Sequence, residues 1–128
     1  MLTFEFVRLG VPCTVQTKNK SRLDNYKRDL RRAATARWPG DVPPLTLSVS
    51  VVITYYYRVD ALDVDNIVKP ILDQLKGLVY ADDLQVTRVV SQKRPVLAGP
   101  FVPLDASPVL RDGLRSQDDF LHILVEWE

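Results

Sequence analysis

Leu45, Leu47, Val49, Val51, Ile53 and Tyr55 put an apolar side chain at every second position, and no other feature restricts the fold of this chain as much. Period two is the repeat of a β-strand with one buried face, so this run is predicted to be a strand, central or near-central in its sheet. A strand needs partners. Leu2–Leu9, Gln85–Lys93 and Phe120–Trp127 read as three more strands, the first ended by Gly10-Val11-Pro12. Between them the period changes to that of a helix. Leu23, Tyr26, Leu30, Ala33 and Ala34 predict a helix over Arg22–Arg37 with Ser21 as N-cap, ended before Pro39-Gly40. Ile67, Val68, Ile71, Leu72 and Leu75 predict a second helix from Asp65 or Asn66 to Lys76, with Gly77 as its stop. Pro70 falls in the first turn of that helix, where a missing N–H costs little. Ser107-Pro108 can cap a short helix inside the Arg94–Asp118 connection. The order is strand, helix, strand, helix, strand, connection, strand. It predicts an α+β fold: residues 1–128 as one domain, a small mixed β-sheet with helices packed on it.

The chain has 128 residues, 46% hydrophobic and 26% charged, which suits one packed core and excludes a disordered chain. Glu5 and Arg8 interrupt the N-terminal apolar residues, so neither an export signal nor a membrane span is expected. Cys13 is the single cysteine. It can form no internal disulfide, and a reducing, cytoplasmic setting is the expectation. His122 is the single histidine and lies in a predicted strand without a nucleophile motif, which argues against a serine or cysteine hydrolase. Cys13 reads as an inert small side chain. The formal charge of +1 conceals an asymmetry. Residues 1–40 carry nine Lys/Arg against three Asp/Glu, or +6, and residues 41–128 carry eight against thirteen, or −5. A basic segment that meets a polyanion would have this pattern, as would clustered solvated charges.

The acidic half contains the chemistry. In Asp63-Val64-Asp65-Asn66, side chains two apart in an extended backbone point the same way, with Cα atoms roughly 6.6 Å apart, so two carboxylates can converge. Asp82-Asp83 follows the second helix, and a helix packed back on its sheet can bring the two acidic junctions together. Two like charges 4 Å apart repel by about 4 kcal/mol at an effective dielectric of 20. A hard divalent cation is the simplest relief, and oxygen ligands without His or Cys favour Mg²⁺, Mn²⁺ or Ca²⁺ over Zn²⁺. Lys69, one turn after Asp65, can reach the same place and meet a phosphate or a leaving oxygen. An EF-hand is excluded because Val68 and Gln74 stand where that loop needs Gly and Glu. Each residue also has an ordinary use: Asp65 and Asn66 as helix caps, Asp82-Asp83 as a polar turn, Lys69 as an ion pair with Asp73. Tyr55-Tyr56-Tyr57 can stack on bases or simply pack.

Asp63-Val-Asp65-Asn66-Ile-Val-Lys69-Pro-Ile-Leu-Asp73-Gln-Leu, then Gly77, then Asp82-Asp83-Leu-Gln85-Val86, resembles the signature of RusA-type Holliday junction resolvases. The resemblance covers residues 60–93 strongly. It implies an Mg²⁺-dependent endodeoxyribonuclease, with Mn²⁺ as a substitute, that cleaves four-way junctions in DNA recombination and repair. It also implies a homodimer with two active sites, which suits paired incisions. Carried over residue by residue, Asp63, Asp65 and Asp83 would bind metal, Asp82 would be a further acidic member, and Lys69 would be catalytic. Lys18, Lys20, Arg22, Lys27, Arg28, Arg31 and Arg32 would bind the DNA backbone. Two other readings share these features: a nuclease preferring flaps, forks or plain duplex, and a non-catalytic DNA-binding module with a structural metal.

Overall fold

In a computed structural model, which describes residues 1–59, 62–96 and 102–128, the alternating run forms an inner strand of a four-stranded mixed sheet. The elements are β1 (Leu2–Leu9), α1 (Lys20–Arg37), β2 (Val49–Tyr57), α2 (Val68–Leu75), a 3₁₀ turn at Asp83–Gln85, β3 (Val86–Pro95), α3 (Pro108–Ser116) and β4 (Phe120–Trp127). The fold is α+β, as predicted. The strand order is β1-β4-β2-β3; β4 runs antiparallel to both neighbours, and β2 and β3 are parallel. A parallel pair needs a crossover, and the segment carrying α2 is that crossover.

Val49, Val51, Ile53 and Tyr55 of β2 are all buried on one face of the sheet, beside Phe4 and Phe6 of β1 and Leu121, Ile123 and Val125 of β4. Tyr26, Leu30 and Ala34 of α1 and Ile71 and Leu75 of α2 cover that face. Each large side chain so buried contributes about 1.5–3 kcal/mol, and this core holds α2 against the sheet. The other face is covered in part by α3. The approach is close enough that a Cβ on Gly113 would lie 2.6 Å from the Phe120 ring. Gly113→Ala is therefore expected to lower stability by about 1–3 kcal/mol, read as a fall in the urea midpoint with unchanged slope.

Boundaries differ from the predicted ones for identifiable reasons. α1 starts two residues earlier, at Lys20, because Asn19 rather than Ser21 caps it: the Asn19 Oδ1 accepts from the Arg22 N–H at 3.0 Å. α2 begins at Val68 instead of Asp65 or Asn66 and ends one residue short of Lys76. Pro70 has no N–H to offer the Asn66 carbonyl, which instead accepts from the Val15 N–H at 2.9 Å. The strand predicted from Leu45 starts at Val49. Leu45 makes only an isolated bridge to Tyr80, because Gln85 Nε2 ties the carbonyls of Leu45 and Leu47 at 2.7 and 2.8 Å. The strand predicted over Gln85–Lys93 runs Val86–Pro95, with Gln85 in the 3₁₀ turn. Ser107 caps α3 as predicted, and of the Arg94–Asp118 connection residues 97–101 lie outside the described residues.

On the α3 side, Glu5 of β1 accepts hydrogen bonds from Ser107 Oγ and from His122 Nε2, the latter at 3.0 Å. His122 is thus a structural residue. Burial acts to raise the Glu5 pKa, but the hydrogen bonds from Ser107 and His122, with the positive charges of His122 and Arg37, outweigh it and hold the carboxyl below its usual value. A depressed carboxylate stabilises the fold above its unfolded pKa and loses that contribution as pH falls through the folded one. Glu5→Gln is expected to be less stable than the parent at pH 7 and to converge with it below about pH 4. Urea unfolding across pH 3–7 measures this, and a constant gap would refute it.

Candidate active site

A parallel crossover ordinarily leaves the loop after the first strand and the loop before the second at opposite ends of the sheet. Two features bring them together here. After β2 the chain folds back beside β3, where Ser91 Oγ donates to the Val64 carbonyl at 2.5 Å; Ser91 is itself opposite Ile53, in mid-strand. α2 then has only eight residues, about 12 Å of helix, to reach the start of β3. The Asn66 N–H bonds to the Asp63 carbonyl at 3.1 Å, so Asp65 sits in a turn at the entrance to α2. At the other end Gly77 has φ +83°, a conformation suited to glycine, and the chain turns into the 3₁₀ helix that presents Asp83.

The result is one cleft of about 310 Å³ lined by Asp65, Val68, Lys69, Leu72, Asp73, Asp83 and Val86. Asp65 and Asp83, the acids of the two junctions, thus share one cavity with Lys69. Asp63 and Asp82 are not among its lining residues, and Asp82 is exposed. Asp82 caps the 3₁₀ helix: its Oδ1 accepts from the Leu84 N–H at 3.1 Å, while Gln85 Oε1 accepts from the Asp82 N–H at 2.7 Å. Among the described residues no three His, Cys, Asp or Glu side chains are close enough to form a metal cage. Lys69 Nζ lies 3.4 Å from Asp73 Oδ1, and Lys76 Nζ lies 3.6 Å from Asp83 Oδ2, both pairs solvent-accessible. The Asp65 carboxylate has no hydrogen-bond or ion-pair partner among the described residues. Behind the cleft, Tyr80 donates to the Leu72 carbonyl at 2.7 Å, and burial together with the negative charges of Asp83 and Asp73 raises its pKa. Asp73 belongs to the cleft as much as Asp65 does. Its spacing of four residues from Lys69 puts the two on one stripe of α2, the signal that could have identified it.

The basic residues divide. Lys18, Lys20, Arg22, Arg28 and Arg32 lie on the accessible side of the segment, and Lys27 is half-buried. Arg31 turns inward, its Nη1 donating to the carbonyls of Gln74 and Lys76 at 2.8 and 2.9 Å, so it braces the C-terminal end of α2. Tyr55 is buried, with its hydroxyl 2.6 Å from Asp119, and Tyr56 stacks on Phe120 with ring centres 4.6 Å apart. These two tyrosines pack. Cys13 is buried, and among the described residues no helix is long and apolar enough to cross a membrane.

No curated protein matches the chain. Residues 6–100, well over half of the 128, match the family model described as Endodeoxyribonuclease RusA.

Proposed function

The chain belongs to the RusA endodeoxyribonuclease family, and on that premise we propose that it resolves four-way DNA junctions by Mg²⁺-dependent phosphodiester hydrolysis in the cleft beside α2. The observation that carries the reading is that Asp65 and Asp83 meet in one cavity with Lys69. Carboxylates there face a polyanionic substrate, an arrangement that is unfavourable unless a cation bridges the two. The donor set suits magnesium, which is commonly held by one or two carboxylates together with water and substrate phosphate oxygens. Asp65 and Asp83 would hold it, with Asp63 as the neighbouring acid of the first junction. Asp82 would join the set only with the oxygen that its cap leaves over. Bound there, the ion would supply Lewis-acid assistance and help to activate water; Mn²⁺ has similar ligand preferences.

The protein's own part is to position the scissile phosphate and balance its charge. Lys69 stabilises the negative charge that develops on the phosphate, giving up only an exposed interaction with Asp73. Lys18, Lys20, Arg22, Lys27, Arg28 and Arg32 hold the backbone of the DNA, giving affinity and salt dependence without reading sequence; Arg31 supports α2. Cleaving two strands of a junction calls for two such sites, so the working form is a homodimer acting in the cytoplasm in DNA recombination and repair. The test is cleavage of a synthetic four-way junction, a flap and a plain duplex in Mg²⁺, Mn²⁺ or EDTA. Paired, metal-dependent nicks in the junction are expected. Preferred cutting of the flap or the duplex would replace the substrate, and well-folded protein that cuts nothing would leave a DNA-binding module.

A further inference from the structure

The 3₁₀ helix that presents Asp83 has only three residues and none of them is buried; Leu84 in its middle is 89% exposed. A single turn of this kind fixes several dihedral angles for few backbone bonds, so it does not hold itself, and no core contact holds it here. The Asp83 carboxylate does not fix it either. Its ion pair with Lys76 is long, 3.6 Å, and both side chains are about half exposed. Hydrogen bonds must set the backbone of Asp83, and most of them end on one side chain. Gln85 Oε1 accepts from the N–H groups of Ala81 and Asp82 at 2.9 and 2.7 Å, and its Nε2 donates to the carbonyls of Leu45 and Leu47 at 2.7 and 2.8 Å. Two donors and two acceptor positions are the whole capacity of a side-chain amide, so Gln85 is fully used. The segment it grips leads into the sheet: Leu45 bridges Tyr80, and Val49 opens β2 opposite Val86. One amide therefore caps the turn on one side and fastens it to the start of the inner strand on the other.

We propose that Gln85 is a positioning residue for the cleavage reaction, acting through Asp83 by holding the turn that carries it in place across the cleft from Asp65. The proposal rests on the nuclease reading above, in which Asp83 is a metal ligand. Magnesium accepts only near-ideal octahedral geometry, so a ligand on a turn free to shift binds it poorly. Groups that orient a ligand are worth about 10–100-fold in metal affinity. Only an amide of this length does both halves of the work. Glu, the usual residue at this place in a capping box, would keep the two bonds from Ala81 and Asp82 but could donate nothing to the carbonyls of Leu45 and Leu47. Met, of similar length, would lose all four.

The test measures Mn²⁺ binding to the protein without DNA, from the spin-resonance signal of the free ion, in the parent, Gln85→Met, Gln85→Glu and Asp83→Asn. Gln85→Met should bind Mn²⁺ about 10–100-fold more weakly than the parent. Its amides at Ala81 and Asp82 should exchange with solvent faster, and its affinity for a four-way junction in EDTA should stay within twofold. Cleavage by this variant should need correspondingly more Mg²⁺ for half its maximal rate and recover most of that rate when metal is saturating. A residue that served stability alone would lower the melting temperature and leave the metal affinity of the folded protein unchanged. Gln85→Glu keeps the cap and guards against loss of the fold. The negative charge it adds would by itself tighten a nearby cation, so weaker Mn²⁺ binding in this variant reports lost anchoring. Mn²⁺ affinity of folded Gln85→Met within twofold of the parent's would overturn the proposal; should that variant not fold, parental or tighter binding by Gln85→Glu would do the same. The two levels separate through the parent and Asp83→Asn. If the parent binds no Mn²⁺, or Asp83→Asn binds it equally well, the metal site itself is wrong and the proposal falls with it; if both behave as expected and the Gln85 variants match the parent, only the role of Gln85 is lost.

Discussion

Replacing Asp65 with Asn is expected to slow junction cleavage by about a hundredfold or more, since even residues that only support metal ligands cost 10–100-fold, while stability stays within about 0.5 kcal/mol of the parent. Both halves follow from its position. The carboxylate is exposed in the turn before α2 and pairs with no other described side chain, so removing its charge breaks nothing in the fold. It also shares the cleft with Asp83, so removing it takes away half of the proposed donor set. Asp83→Asn should slow cleavage by a comparable factor and, in addition, weaken the long ion pair with Lys76. Asp82→Asn is the control, because Asn caps a helical turn as well as Asp does, and a residue that only caps should keep most of its activity. Single-turnover cleavage with saturating metal and thermal melts of the same preparations give the comparison. Parental rates in Asp65→Asn would remove that residue from the site.

Lys69→Gln is expected to lower the cleavage rate by about 10²–10³, the effect of removing a group that stabilises transition-state charge, with much less change in DNA affinity. Its ammonium meets Asp73 at 3.4 Å and is three-quarters exposed, so structural damage is not a competing explanation. Asp73→Asn separates the roles. If Lys69 acts through its ion pair, both variants should fail alike; if it acts on the phosphate, Asp73→Asn keeps a lysine in the cleft and retains far more activity. Equal effects in the two would refute a direct role.

Much of the fold was legible in the chain. β1 and β4 fall on the predicted residues, since a half-buried strand leaves its period in the sequence and Gly10 and Asp119 mark where β1 ends and β4 begins. The Ser107 cap was legible as one use of Ser107-Pro108, because Pro suits the first position of a helix and Ser its cap. The start of α2 was less so. Asp65 and Asn66 have the composition of a cap, but the partner of the Asn66 carbonyl is Val15, remote in sequence, and no local propensity encodes it. Likewise Arg31 looked like its basic neighbours until α2 was packed beside it, with carbonyls at its C-terminal end that needed a donor.

The candidate site divides in the same way. Residue types and spacing determined the chemistry on offer: oxygen ligands without histidine or cysteine, a lysine one helical turn away, and an element order that makes a mixed sheet. Which acids meet was decided only in three dimensions. Asp65 and Asp83 share a cleft because α2 is short and Val64 is tied to the middle of β3, whereas Asp82 is turned aside to cap the helix that presents its neighbour. The stacking of Arg8 on the Tyr26 ring left no trace in the sequence either, since the two residues belong to different elements that are adjacent only after folding. Periodicity records which side of an element is buried, a property of one segment. Convergence of side chains depends on where separate segments stop and what they bond to, and that is a property of the packed whole.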